Sequence, residues 1–323
     1  MSVFKNLYDR IKTKKYYLVI STVMTMISIF AAVYFHAKLE VKGNIAVVTT
    51  NKETDFQSDY FHFTTMEERL PMYQLVLGKY DGEIVEKGDG GFEVITIKNQ
   101  DFETMLKEMV KQPDGFSPPL QNDRGIGTNI IGYLILFILL QCVLFMFMLA
   151  EDMERKQIER ITVAPISFFT YLSSHFFFSF ALIFTPAFFI LAVMKGFSFS
   201  IGFNLWQYAL LLALLCMMGL SFSLFLISLV KVSDTANMIG SSIVILTTIL
   251  SGSFYSFEKG NKIFEKMVWV LPQKDYLSFV QGLESGKVVS AMLPQLCYCI
   301  TVFLFFFAFA VIKIKNDYVL RKD

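Results

Sequence analysis

Residues Ile130–Ala150, IIGYLILFILLQCVLFMFMLA, form an unbroken apolar run with one strongly polar member, Gln141. A helix rises about 1.5 Å per residue, so roughly 20 such residues cross a hydrocarbon layer of roughly 30 Å. No water is available there, so each backbone amide must be satisfied within the segment, and a helix is the form that does this. Five further runs read the same way: Tyr16–Phe35, Phe168–Met194, Leu205–Val230, Ala236–Phe254 and Met292–Ile312. The chain is 54% hydrophobic and 18% charged, against about 45–50% and about 25% in soluble domains. Its excess apolar content sits in these six blocks, and Phe 35 against Trp 2 suits helices that face lipid. A soluble enzyme, a disordered tail and a disulfide scaffold are excluded. The net charge of +1 leaves no global basic field for nucleic acid.

The first run follows Lys5, Arg10, Lys12, Lys14 and Lys15. A signal peptide also begins with basic residues. This run is too long for its apolar region and lacks a small-residue cleavage site, so it reads as a retained anchor. Basic residues flank spans on the cytoplasmic side. The N-terminus, Arg155, Lys156 and Arg160 after the second span, Lys231 after the fourth, and Lys313, Lys315, Arg321 and Lys322 at the end all fall on one side of a six-span chain. Both termini are therefore expected in the cytoplasm.

Residues 37–128 differ, with about 16 Asp/Glu against about 10 Lys/Arg. GNIAVVTTN and DYFHFTTM read as strands, and EERLPMYQLVLGKY as a helix with Pro71 in its first turn. DGEIVEKGDGGFEVITIK reads as a hairpin turning at Gly88–Gly91. Phe102, Met105, Leu106 and Met109 lie on one face of a further helix. PDGFSPPLQNDRGIGTN is a Pro/Gly-rich linker back to the bilayer. The expected fold is thus an α-helical membrane protein of six spans, with a small extracytoplasmic α/β domain between the first and second. The expected divisions are 1–36, 37–128 and 129–323.

Little in the chain points to chemistry of its own. No G-x-x-x-x-G-K-[ST] phosphate loop occurs, and no G-x-S-x-G nucleophile setting. His36, His62 and His175 are not at metal-ligand spacing. Cys142, Cys216, Cys297 and Cys299 lie inside apolar runs and read as packing residues. The deep spans lack the ionisable residues that mark ion-coupled pumps, and His175 is expected to be neutral and hydrogen-bonded to a neighbour.

Two segments stand out. EDMERKQIERITVAPIS, Glu151–Ser167, is densely charged directly after a span, with Met153, Ile158 and Ile161 adding apolar contact and Pro165 ending the helix. It is either a solvated connector or a helix along the membrane that docks a soluble partner. GSFYSFEKGNKIFEKMVWVLPQKDYLSFVQGL, Gly252–Leu283, is too polar for a span and too apolar for a free loop. It suggests amphipathic helices broken at Pro272, serving either as an interfacial anchor or as a re-entrant outer gate.

This arrangement resembles the permease subunit of an ATP-binding-cassette type 2 exporter over almost the whole chain. Thr162–Ser167 is similar to a "TxAPIS"-like stretch ending that family's coupling region, although "IERITV" departs from its usual threonine-leucine core. WVLPQKDYLSFVQGL resembles its outer "lLP…y…gl" pattern. The resemblance implies a coupling helix over 151–165, with Glu151, Asp152, Glu154, Arg155, Glu159 and Arg160 contacting a cytosolic ATPase. It implies an outer re-entrant region over 252–290, with Gly252, Phe257, Trp269 and Pro272 at a gate. It also implies a second permease copy or related permease as partner and membrane lipid around both. The chain itself would carry no cofactor and no catalytic residue, with ATP acting through the separate subunit. The expected function is export of an amphipathic, peptide, lipid-like or drug substrate across a bacterial cell membrane. The alternative is a non-transporting sensor or accessory protein whose outer domain binds a ligand. Such a sensor needs a cytoplasmic signalling module, and the cytoplasmic pieces are short.

Overall fold

The computed structural model describes residues 2–38, 43–49, 61–66, 68–86, 91–98, 100–111, 124–161, 167–230, 232–254 and 268–318. It divides into two compact units, Met1–Val33 with Arg124–Asp323, and Tyr34–Asp123. Residues 124–128, expected in the outer domain, group with the helices.

The larger unit is helical. Six helices are long and apolar enough to cross a membrane. They are α2 (Tyr16–Lys38), α5 with α6 (Ile126–Phe145 and Phe147–Glu154), α8 (Phe168–Gly196), α9 (Leu205–Leu229), α10 (Ser233–Leu250) and α12 (Leu293–Tyr318). Three shorter helices accompany them: α1 (Ser2–Thr13), α7 (Gln157–Ile161) and α11 (Pro272–Glu284). α5 and α9 are the inner pair, with 67% of their apolar windows buried against 17–33% in the other four spans. Lipid is as apolar as leucine, so such helices associate by close packing and hydrogen bonds rather than by escape from water. Gly219 of α9 shows this: a Cβ there would lie 2.7 Å from Cys142 Sγ and 2.8 Å from Leu139 Cδ2 of α5. Gln141, the strongly polar residue of the second span, is satisfied across helices. Its Oε1 accepts from Ser21 Oγ at 2.7 Å, and its Nε2 donates to Thr25 Oγ1 at 2.9 Å.

The smaller unit carries a four-stranded sheet in the order β2-β1-β3-β4. Its strands are β1 (Gly43–Val48), β2 (Phe61–Met66), β3 (Gly82–Glu86) and β4 (Phe92–Ile95). β1 pairs parallel with β2 and β3, and β3 pairs antiparallel with β4. The helix α4 (Gln100–Lys111) buries Phe102, Met105, Leu106 and Met109 against Ile45, Phe61 and Ile84 on one face. On the other face Leu75 of α3 (Met72–Val76) joins Ala46, Leu70 and Tyr80. Pro71 precedes α3 as its N-cap, where a missing N–H costs nothing. The expected turn at Gly88–Gly91 and most of the Pro/Gly-rich linker lie outside the described residues.

Candidate functional site: an ionic anchor at one end of the helical unit

The charged segment expected as one helix over 151–165 is divided. Glu151, Asp152 and Glu154 form the last turn of α6, an extension of the second span beyond a turn at Met146. Lys156 then adopts φ 56°, which interrupts the helix before α7. A left-handed residue cannot continue a right-handed helix, so the two pieces take separate directions. Pro165 and the stretch 162–166 lie outside the described residues.

The break separates the candidate side chains. Glu154, Arg155 and Arg160 are exposed and Glu159 is half-buried. Glu151 and Asp152 instead face into the chain. Arg10 of α1 donates from Nη1 to both Asp152 oxygens, Oδ1 at 2.8 Å and Oδ2 at 3.0 Å. Its Nη2 reaches Glu151 Oε2 at 3.1 Å and the Met148 carbonyl at 3.2 Å. Lys14 donates to Glu151 Oε1 at 2.6 Å and lies 4.4 Å over the Phe147 ring. Two residues of α8 complete the cluster. The Tyr171 hydroxyl donates to Asp152 Oδ2, and His175 Nε2 lies 3.4 Å from the same oxygen. That contact lacks hydrogen-bond alignment, and among the described residues buried His175 Nε2 has no hydrogen-bond partner. Asp152, Tyr171 and His175 are all buried.

Two cations face two carboxylates, so the cluster balances its charge where water is scarce. The Arg10 guanidinium bridges the two carboxylates, one nitrogen on Asp152 and the other on Glu151, and its weakly hydrated, delocalised charge suits such surroundings better than an ammonium does. The groups of the cluster are taken up by one another in ion pairs and hydrogen bonds. They tie α1, α6 and α8 into one mechanical piece. Met153 and Ile158 are buried beside it, so the apolar contact expected of this segment is made within the chain. A recess of about 80 Å³ opens alongside, lined by Tyr17, Phe147, Glu151, Ser223, Asp234 and Asn237 among others. Arg10, Lys14, Tyr171 and His175 were not legible as partners of this segment. The sequence signal was faint: an Asp in the last turn of a span, and a Tyr and His at i,i+4 near the start of the next.

The second candidate region begins where α10 ends. Gly252 has φ 77°, the left-handed conformation that lets the chain turn after the helix. Pro272, expected as the break between amphipathic helices, is the first residue of α11. Pro fits that position because its N–H would be unpaired there anyway. Trp269 is exposed, with Lys274 Nζ 5.7 Å from its ring; Phe257 lies outside the described residues. α11 is packed into the bundle. Tyr276 donates to the Leu211 carbonyl of α9 at 2.9 Å, and Gln273 donates to Thr247 of α10 at 2.8 Å. At its far end Glu284 accepts from the Gly127 and Thr128 amides, both at 2.8 Å, closing the N-terminus of α5. A carboxylate there meets unpaired N–H groups and the positive end of the helix dipole. Burial lowers the Arg124 guanidinium from its usual value and raises the Asp275 carboxyl, against the pull of Lys274.

The family model described as "ABC-2 family transporter protein" matches residues 11–312. No curated protein and no solved structure matches the chain. The match takes in the first five apolar helices and most of the sixth, the small sheet between the first two, α11, and the ionic anchor except Arg10. Nearly the whole chain is covered, and the chain belongs to the ABC-2 family of transporter proteins, as a multi-pass membrane permease subunit whose ATPase is a separate protein.

Proposed function

We propose that this permease exports an amphipathic substrate from the cytoplasm, a peptide, a lipid-like molecule or a drug, across a bacterial cell membrane. Both termini face the cytoplasm and the α/β unit lies outside, as the basic flanks argue. A cytosolic ATPase docks on the exposed charges that follow the second span, Glu154, Arg155 and Arg160, with half-buried Glu159 beside them. A second permease copy, or a related one, completes the transporter, and Gly252, Phe257, Trp269 and Pro272 belong to the outer gate. ATP acts through the partner, so this chain uses no cofactor of its own.

The observation that carries the reading is the Arg10–Asp152–Tyr171 cluster with the Arg10–Glu151–Lys14 pairs. A push on the surface after α6 passes through charge-assisted bonds to the N-terminal helix and the third span. The neighbouring recess leaves α6 space to shift. Glu151 and Asp152 thereby act as the anchor behind the docking surface rather than as part of it.

The test is charge reversal at the outward acids. Glu154→Lys with Glu159→Lys should lower copurification of the ATPase and substrate-stimulated ATP hydrolysis. A desolvated pair losing one partner costs about 2–5 kcal/mol, whereas an open surface pair is worth only about 0.2–1 kcal/mol. A tenfold or larger loss of association, about 1.4 kcal/mol, separates the two. Wild-type copurification and transport in the double variant would leave a solvated connector and move the docking surface elsewhere.

A further inference from the structure

The small unit exposes an apolar cluster where a soluble domain ordinarily does not. Met72, Tyr73, Val76 and Leu77 are 58–76% exposed, on a five-residue helix anchored from below by buried Leu75. Ile97 is also half out. Single exposed apolar residues need no explanation, but neighbours along one helix face mark a surface that something covers.

The position of this cluster in the sheet says what. Gly43, Phe61 and Gly82 begin their strands at one end of the sheet, and Ile95 closes β4 at the same end. α3 returns to that end: four residues after Leu77, the Asp81 amide donates to the Asn44 carbonyl at 2.8 Å. Ile97 is held there too. Thr96 Oγ1 donates to the Asp81 carbonyl at 2.7 Å, and Lys98 Nζ lies 2.7 Å from Asp81 Oδ1. This is also the end of the sheet at which the chain arrives from the first span's helix. The first span's helix runs to Lys38 and β1 starts at Gly43. Five residues reach at most about 17 Å. At the other side of the unit α4 ends at Lys111, and residues 112–125 lead to the start of α5 at Ile126, a connection long enough to return from the far end of the sheet.

Lys79 and partly exposed Lys98 accompany the apolar side chains at this end. Cations above an apolar layer are the composition of segments that rest in a headgroup region. We infer that the strand-start end of the sheet is a membrane-seating surface: α3 dips Val76 and Leu77, with Tyr73 and Ile97 at its margin, into the outer part of the lipid bilayer that the chain spans, while Lys79 meets lipid phosphate and Lys98 stays paired with Asp81. The occupant is lipid because the tether holds this end within reach of the bilayer. The seat fixes the height of the domain and limits its swing about the tether. It rests only on the chain crossing a bilayer, so its failure would leave the permease reading untouched.

The experiment uses the full chain in a Cys297→Ser background, which removes the exposed native thiol among the described residues. Single cysteines at Leu77, Ile97 and Thr65 carry an environment-sensitive fluorophore in vesicles of phosphatidylcholine and phosphatidylglycerol. Thr65, exposed near the opposite end of β2, is the reference. The label at Leu77 should shift to the blue, lose quenching by aqueous iodide, and be quenched by a lipid nitroxide placed about 5–10 Å below the headgroups. The Thr65 label should show none of this. Adding Val76→Ser and Leu77→Ser should release the Ile97 label to iodide while leaving the unfolding temperature unchanged, because both side chains are exposed. Iodide access at Leu77 equal to that at Thr65 would overturn the seat. Shelter from iodide without quenching by the lipid nitroxide would also overturn it, in favour of a second copy or another protein as the cover.

Discussion

Asp152 sits in the last turn of a membrane-length helix, where an unpaired carboxylate is costly. An acid at the centre of a span costs about 2.5–3.5 kcal/mol on insertion scales. Here Arg10 supplies two hydrogen bonds and Tyr171 a third. Bonds to charged groups contribute about 1.5–3 kcal/mol each at most, and removing one partner of a buried pair costs about 3–5 kcal/mol. Arg10 is partly open to solvent, so the lower end applies. Arg10→Met should lower stability in detergent by about 3 kcal/mol, read as a fall in unfolding temperature. Arg10→Lys should recover only part of it, because an ammonium lacks the second nitrogen that reaches Glu151 and the Met148 carbonyl while the first holds Asp152. Arg10→Met combined with Asp152→Asn should be more stable than Arg10→Met alone, since the uncompensated charge is gone. Equal stability of Arg10→Met and wild type would mean that the cluster is not an anchor. None of this was legible in Arg10 itself. Its charge marks the flank of a span, and its carboxylate partners lie 141 and 142 positions away in the chain.

Helix positions were legible to within a few residues, because apolar length alone defines them. Their surfaces were not. Gly219 lies in an all-apolar stretch with nothing to mark it, yet it sets the closest approach of α5 and α9. A valine there would drive its methyl groups into Cys142 and Leu139. Overpacking of this kind costs about 1–3 kcal/mol. Gly219→Val should lower the unfolding temperature in detergent, Gly219→Ala should do so less, and Cys142→Ala should restore part of the loss. A Gly219→Val variant as stable as wild type would show that the two helices are free to separate. The same limit explains the coupling segment. A continuous run of helix-forming residues predicts one helix, whereas Lys156 in a left-handed conformation divides it. Pro272 is the converse case, since a proline that ends one element can equally begin the next.

For the molecule as a whole, the proposed topology of six spans with a basic, cytoplasmic N-terminus has both ends on one side. Thr65→Cys in the small unit should react with an impermeant maleimide in intact cells. Lys315→Cys at the end of α12 should react only after the membrane is opened. The reverse pattern would invert the chain and remove the surface after α6 from reach of a cytosolic ATPase. The ionic anchor and the Glu284 cap lie at opposite ends of the α5–α6 helix, about 40 Å apart at 1.5 Å per residue. One long rod therefore joins the proposed docking end to α11.

The amino-acid sequence by itself determined the class of molecule. Lipid offers backbone amides no partners, so long apolar runs become spanning helices whatever surrounds them. It determined the small sheet as well, because strand and helix periods are local properties, and the buried face of α4 was readable from four residues. Only the tertiary structure decided which charges were spoken for. Glu151 and Asp152 look like their exposed neighbours Glu154 and Arg155 in the chain, and differ because α1 and α8 bring Arg10, Lys14 and Tyr171 to them. The same holds for Glu284, which meets the amides of α5 across 156 and 157 positions. Local patterns follow from neighbours along the chain. Pairings over such separations depend on where whole helices pack, and packing is a property of the assembled bundle.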